Sequence, residues 1–396
     1  MGMRFGIGFL LAGAMFAVEV PSGTKVEIRL STAVNSAKGT VEQAFDAVVI
    51  APVVLRGQIV IASGVRVRGR VKEVKAAVNP DDQAVLGLVF DQISDTRGRK
   101  ANLAARVVGV DNARESVDKD GRILGIIASQ TGSGRLDQGI NKVSEKNSAL
   151  GDLLGTIKQA VLKPTDGNID YEPGVEMTIE LTKPLAWTGD TKSPSVGPVE
   201  PNGLAAFVNG QPFRTRAAKS LKESDVANIM FLGNRDDLGN AFQAAGWSAA
   251  DQLNAKSKLE TFRAMTEQRG YKEAPVSVLY LDGQPPDLVF QKQNDTFNLR
   301  HHLRIWQRPE RFHGQEVWVC SATHDTGIDF SEENRTFVHT VDGQIDRERA
   351  KVVNDLLFTG RVKGLSLVDR PAVPRSLFNA TGDKIETDGR MAVVGF

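Results

Sequence analysis

"TKVEIRLSTAV", Thr24 to Val34, sets Val26, Ile28 and Leu30 against Lys25, Glu27 and Arg29. A period of two marks a half-buried β-strand, because successive side chains leave opposite faces of the pleat. The same texture continues through "VVIAPVVLRGQIVIASGVRVRGRVKEV" (48–74), "AVLGLVFDQI" (84–93) and "LAARVVGV" (103–110), and it returns in "GVEMTIELTKPLAW" (174–187). Short β-branched runs broken by Gly, Pro and Asp predict an all-β barrel or sandwich over residues 18–187. Between 121 and 162 the chain is rich in Gly, Ser and Asn. There Leu150, Leu153, Leu154, Ile157 and Val161 recur at helical spacing. A helical insertion near 121–162 is therefore expected inside the β-domain.

"TGDTKSPSVGPVEPNG", residues 188–203, carries three prolines and three glycines among small polar residues. Such a composition reads as a linker. Beyond it, residues 204–370 mix strand and helix and predict an α/β (α+β) domain with a largely antiparallel sheet. "VANIMFLG" has the length of a buried strand. Asn234 can cap a helix running to Ala245, which Gly246 would stop. Ser248 and Asp251 suggest a capping box for a second helix ending near Gly270. Hairpins are expected for "PVSVLYL" with "DLVFQK" and for "RHHLRIW" with "EVWVCSATHD". A late helix should end at Gly360, "RVKGLSLV" should be the last strand, and residues 371–396 should form a loose polar tail.

A chain of 396 residues exceeds one ordinary core, and 41% apolar with 24% charged residues suits folded protein. The net charge of +1 offers no global attraction to nucleic acid or anionic lipid. Residues 1–17 read as a signal peptide. Arg4 precedes the apolar run Ile7 to Val18, which is too short to span a bilayer core of roughly 30 Å as a helix. Ala14 or Ala17 offers the cleavage point, so a mature exported chain without a transmembrane helix is expected. Cys320 is the single cysteine and cannot form an internal disulfide.

All five histidines lie between His301 and His339. In "NLRHHLRIW" strand periodicity puts His301, Leu303 and Ile305 on one face, expected inward. It puts Arg300, His302, Arg304 and Trp306 on the other, expected outward. If Gln307 faces Glu316, His301 and His324 become diagonal neighbours roughly 7–8 Å apart at the backbone. Asp325 and His339 then complete a candidate catalytic group of His301, His324, Asp325 and His339. Three readings stand for it: core histidines satisfied by backbone or Asp, a zinc-like site, or acid–base chemistry or anion binding. Arg300, His302 and Arg304 are candidates for anion binding, against a plain solvated strand face. Arg66, Arg68, Arg70 and Lys72 form a one-sided basic stripe that reads as an outer sheet face. Tight metal-ligand spacings, a phosphate-binding glycine loop, a G-x-S-x-G elbow and a dinucleotide fingerprint do not occur. No cofactor is implied.

The motifs "FLGNRDDLGNAFQAAGWSAAD", "APVSVLYLDGQPPDLVFQK", "RHHLRIW", "VWVCSATHDTGI" and the segment around His339, Asp346 and Arg347 resemble the LssY C-terminal domain family over roughly residues 224–367. The resemblance implies no defined activity. Some relatives carry this domain behind a membrane-embedded lipid-phosphatase domain, whose motifs this chain lacks. "VPSGTKVEIRL", "IASGVRVRGRVKEV" and "YEPGVEMTIELTKPL" resemble, in pattern, the TrbI-type β-barrel of conjugation channels, which a helical excursion also interrupts. The TrbI-type resemblance implies a cell-envelope setting, in agreement with the signal peptide. Envelope or secretion proteins, or an anionic surface ligand met by the basic faces, are the expected partners. The expected function is non-enzymatic binding or assembly. The alternative is a metal-dependent or acid–base hydrolase using the histidine–aspartate group.

Overall fold

The computed structural model describes residues 18–146, 148–192, 196–250, 260, 263, 267, 276–292, 294, 299–331 and 336–396. The expected signal peptide, 1–17, lies outside them. In the first domain, Val26, Ile28 and Leu30 point into the core while Lys25 and Glu27 do not. The strand Lys25–Leu30 sits within a nine-stranded sheet. Its order runs Ala105–Val110, Glu176–Leu181, Lys25–Leu30, Ala44–Val49, Arg66–Lys75, Val85–Ser94, Arg122–Leu124, Ser116–Val117, with Lys100–Asn102 also beside Val85–Ser94. The end strands Ala105–Val110 and Ser116–Val117 approach each other, so the sheet nearly closes into the expected barrel. Its interior is filled by side chains, with Phe45 and Phe90 edge to face at 5.6 Å. Gly69 makes room for that pair: a Cβ there would lie 2.2 Å from the Val89 carbonyl oxygen and 2.5 Å from the Phe45 ring. The insertion consists of two helices, Gly132–Lys146 and Ser148–Val161.

The second domain is organised by an eight-stranded sheet in the order Ser248–Ala249, Leu288–Lys292, Arg300–Phe312, Gln315–Ser331, Ile229–Leu232, Arg390–Gly395, Gly364–Asp369, with Thr336–Val341 also beside Gln315–Ser331. All pairings are antiparallel except that of Ile229–Leu232 with Arg390–Gly395. The helices Arg235–Ala244 and Ile345–Phe358 cover one face, meeting Leu303, Ile305, Trp318 and Cys320. Leu204, Val208 and Leu279 pack on the other, against Trp306, Val317 and Val319. Asn234 caps the first of these helices by accepting from the Asp237 amide at 2.8 Å, and Gly246 follows its end at φ +84°.

Several expectations change. Residues 371–396 are not a loose tail. Met391 to Val394 are buried at the centre of the sheet, and their hydrogen-bonded neighbours lie at 229–232 and 364–369. Such a partner is too distant in sequence to register in a local pattern. "PVSVLYL" and "DLVFQK" do not pair as a hairpin: Leu279–Tyr280 joins Arg216–Ala217 in a separate three-stranded sheet, and Leu288–Lys292 joins Arg300–Phe312. Ser248 is in a short strand opposite Gln291 instead of at a helix cap, and most of 251–275 lies outside the described residues. Of the expected linker, Asp190 pairs with Arg99 at 2.7 Å and Val199 is buried against the second domain.

Candidate functional site

The hairpin Arg300–Phe312 with Gln315–Ser331 turns at His313 and Gly314, both at positive φ. A bulge between Arg308 and Arg311 contains Pro309, which has no amide to give to the ladder. It shifts the register by two residues, so Gln307 faces Trp318 and His301 faces His324 directly. An even shift preserves the faces. The two imidazoles therefore stack, centroids 4.2 Å apart and 22° from parallel.

The expected inward and outward faces are both buried, at 3% exposure for His301 and 4% for His302. The sheet is covered on each side, which alternation within one strand cannot reveal. Asp325, adjacent to His324, falls on the opposite face and pairs with Arg300 at 3.1 Å, so it does not join His301. His339 lies in the neighbouring strand opposite Ile328, and its side chain is outside the described set. Arg300, His302 and Arg304 do share one face. It is an interior one, where Arg304 meets Asp225 at 3.4 Å and donates to the Ser277 carbonyl at 2.8 Å. Burial pushes the Asp325 carboxyl up to about 6, against the pull of Arg300.

His301 finds its partners in residues that the sequence reading did not single out. Its Nδ1 donates to Glu348 Oε2 at 2.7 Å, and its Nε2 lies 3.1 Å from both oxygens of Asp111. Glu348 comes from the helix Ile345–Phe358, while Asp111 comes from the barrel, just beyond the strand Ala105–Val110. The histidine pattern thus opens onto the seam between domains. Glu348, Lys351 and Asp355 recur at helical spacing and face that seam together. Lys351 lies 3.6 Å from Asp111 and 3.7 Å from Asp355, and it also bonds Glu176 of the barrel. Lys292 reaches Glu176 at 2.5 Å and Asp355 at 2.9 Å. Arg29 reaches the same two carboxylates from the barrel side, at 2.6 and 3.4 Å. Asn112 adopts φ +51°, a left-handed conformation that asparagine tolerates. Its side chain accepts from His324 Nε2 at 3.0 Å and donates to the Lys292 carbonyl at 3.1 Å.

The titration behaviour follows from this arrangement. Burial opposes a charge on His301, but the carboxylates of Glu348 and Asp111 outweigh it and raise the imidazole to about 10. Burial would raise Asp111 as well, yet His301 and Lys351 hold it below the usual carboxylate range. Burial and the imidazolium of His301 together keep His324 below its ordinary value. The stacked pair is therefore one charged and one neutral ring. A cleft of about 510 Å³ opens beside them, lined by Asp111, His301, His324, Glu348, Lys351 and Arg347 among others. Ligand atoms of Asp111, His301 and His324 lie within 4.8 Å of one another, a donor set suited to a zinc-like cation.

For the partners of His301, the one signal in the sequence was the segment around Asp346 and Arg347, which contains Glu348. Asp111 follows the strand Ala105–Val110 and Glu176 opens the strand Glu176–Leu181, positions where local pattern does not separate a buried partner from a solvated polar residue. No helix among the described residues is long and apolar enough to cross a membrane.

Comparison with known proteins places the chain as follows. No curated protein matches it. Among solved structures, ComB10 of the Com type IV secretion system of Helicobacter pylori is similar over 42% of this chain and 88% of its own, at 10% identity and a TM-score of 0.23. Residues 209–391, which carry His301, His324, Glu348 and Lys351 of the seam, match the family described as LssY C-terminus.

Proposed function

We propose that this chain is an exported cell-envelope protein with a binding or assembly role, its two domains clamped into one working unit. The observation that carries the reading is the position of His301, held as an imidazolium between a carboxylate of each domain. A general base at neutral pH needs a free lone pair, and a histidine raised to about 10 has none to offer. The cations Arg29, Lys292 and Lys351 are likewise committed to Glu176 and Asp355. Export is supported by the sequence of residues 1–17. The test is fractionation of the native host with mass spectrometry of the chain's terminus. A chain beginning after Ala14 or Ala17 in the envelope fraction is expected, and an intact Met1 terminus on cytoplasmic material overturns the proposal.

A second reading, a metal-dependent or acid–base hydrolase, is favoured by one observation: Asp111, His301 and His324 converge beside an open cleft. It expects turnover of ester or phosphoester substrates that vanishes in His324→Ala and Asp111→Asn. A purified protein inactive across such substrates, with and without added zinc, counts against it.

A further inference from the structure

We propose that Asp111, His301 and His324 form a divalent-metal site of the zinc class that bridges the two domains. Three observations meet here. The first is the donor set: one carboxylate oxygen and two imidazole nitrogens, all within 4.8 Å of one another. Ligands of a tetrahedral zinc lie roughly 3.4 Å apart when each bond is about 2.1 Å. His301 Nε2 and Asp111 already stand at 3.1 Å. His324 must close the rest, and it is only half-buried, with its Nε2 bonded to Asn112 Oδ1.

The second observation is the support behind His301. Its Nδ1 donates to Glu348, which fixes the tautomer so that Nε2 faces Asp111. A ligating histidine almost always hands its other N–H to a carboxylate in this way. With Nδ1 so committed, an imidazole lone pair and a carboxylate would confront each other across 3.1 Å. The gap demands a positive charge, which a proton supplies in the free protein and a metal ion can supply in its place. The third observation is Glu348 Oε1, a buried oxygen with no hydrogen-bond partner among the described residues, on a residue that lines the same cleft.

Because one ligand comes from the barrel and two from the second domain, metal binding would tighten the seam. The inference goes beyond the binding or assembly role and does not depend on it. A bridging ion in a protein without hydrolytic activity would sustain both.

The test uses the full chain, stripped with a chelator and titrated with zinc by calorimetry and with cobalt by absorption spectroscopy. We expect one equivalent of zinc and a visible cobalt band of tetrahedral type. His324→Gln and Asp111→Asn should each weaken zinc binding at least tenfold and abolish the band. Glu348→Gln, a positioning change, should weaken binding about tenfold while keeping one equivalent. His313→Ala, at the exposed hairpin turn, should change nothing. Circular dichroism establishes that each variant is folded. If His324→Gln is not, Asn112→Ala, which releases His324 without removing a ligand, must retain one equivalent. Failure of the wild-type protein to bind zinc overturns the proposal, and so does unchanged affinity in folded His324→Gln and Asp111→Asn.

Discussion

Two clusters of buried charge lie on opposite faces of the strand Arg300–Phe312, and they differ in who supplies them. On the His302 face, Arg300 and Arg304 are neutralised by Asp325 and Asp225, all from the second domain. On the His301 face, Asp111, Glu176 and Arg29 of the barrel interlock with Lys292, Lys351, Glu348 and Asp355 of the second domain. The first cluster is internal packing of one domain. The second is a seam, open to a cleft, through which charge balance is shared between domains. Adjacent residues of one dipeptide, His301 and His302, therefore play unlike parts. Burial alone does not separate them, since both are covered. The origin of their partners does.

The largest effect that would sharpen this contrast is expected from Lys351→Met. Lys351 faces Asp111, Glu176 and Asp355, so its loss removes a positive charge shared by three carboxylates at once, at about 3–5 kcal/mol. Chemical denaturation should show that loss together with separate unfolding of the two domains. A variant that unfolds in one transition at wild-type stability would erase the distinction between seam and interior.

His301→Ala should come next, at about 3 kcal/mol, because Asp111 and Glu348 lose their common partner. His302→Ala should lose about 1–2 kcal/mol, since its bond to the Thr323 hydroxyl stays within one domain. Equal losses in the two variants, measured by urea titration, would break the comparison.

The pH dependence has a definite sign. His301 is raised from 6.5 to about 10 in the folded protein, so the stability it contributes is complete below about 6.5 and fades as pH rises toward 10. Asp111 and Glu176 are held low, so their contribution is complete above the ordinary carboxylate range and is lost on acidification. Denaturation midpoints should therefore fall between pH 6.5 and 10, and His301→Gln should flatten that slope. A slope that persists in His301→Gln would assign it to another group.

The smallest effect is expected at Arg68→Ala. Its pair with Asp46 lies on the outer face of the barrel, in water, and its removal should leave the midpoint unchanged. A clear loss there would show that the basic stripe of Arg66, Arg68 and Arg70 is more than a solvated face.

Much of the fold was legible in residues 24–34 and their repeats. Alternation is a property of the strand itself, so Val26, Ile28 and Leu30 could be placed inward without knowing their neighbours. The Asn234 cap and the Gly246 and Gly360 stops were readable for the same reason, since each acts within one turn of chain. The sequence by itself thus determined strand texture, helix ends, the two-domain character, and the side of the strand on which each histidine would lie. Tertiary structure alone decided which of those sides were buried, that Met391–Val394 would fill the centre of a sheet, and that a bulge at Pro309 would bring His301 opposite His324. It also chose the partner of His301, a carboxylate 190 positions away on another domain. Charge pairing depends on which surfaces are brought together and in what register, and an aspartate at a strand end carries no local mark of the histidine it will meet.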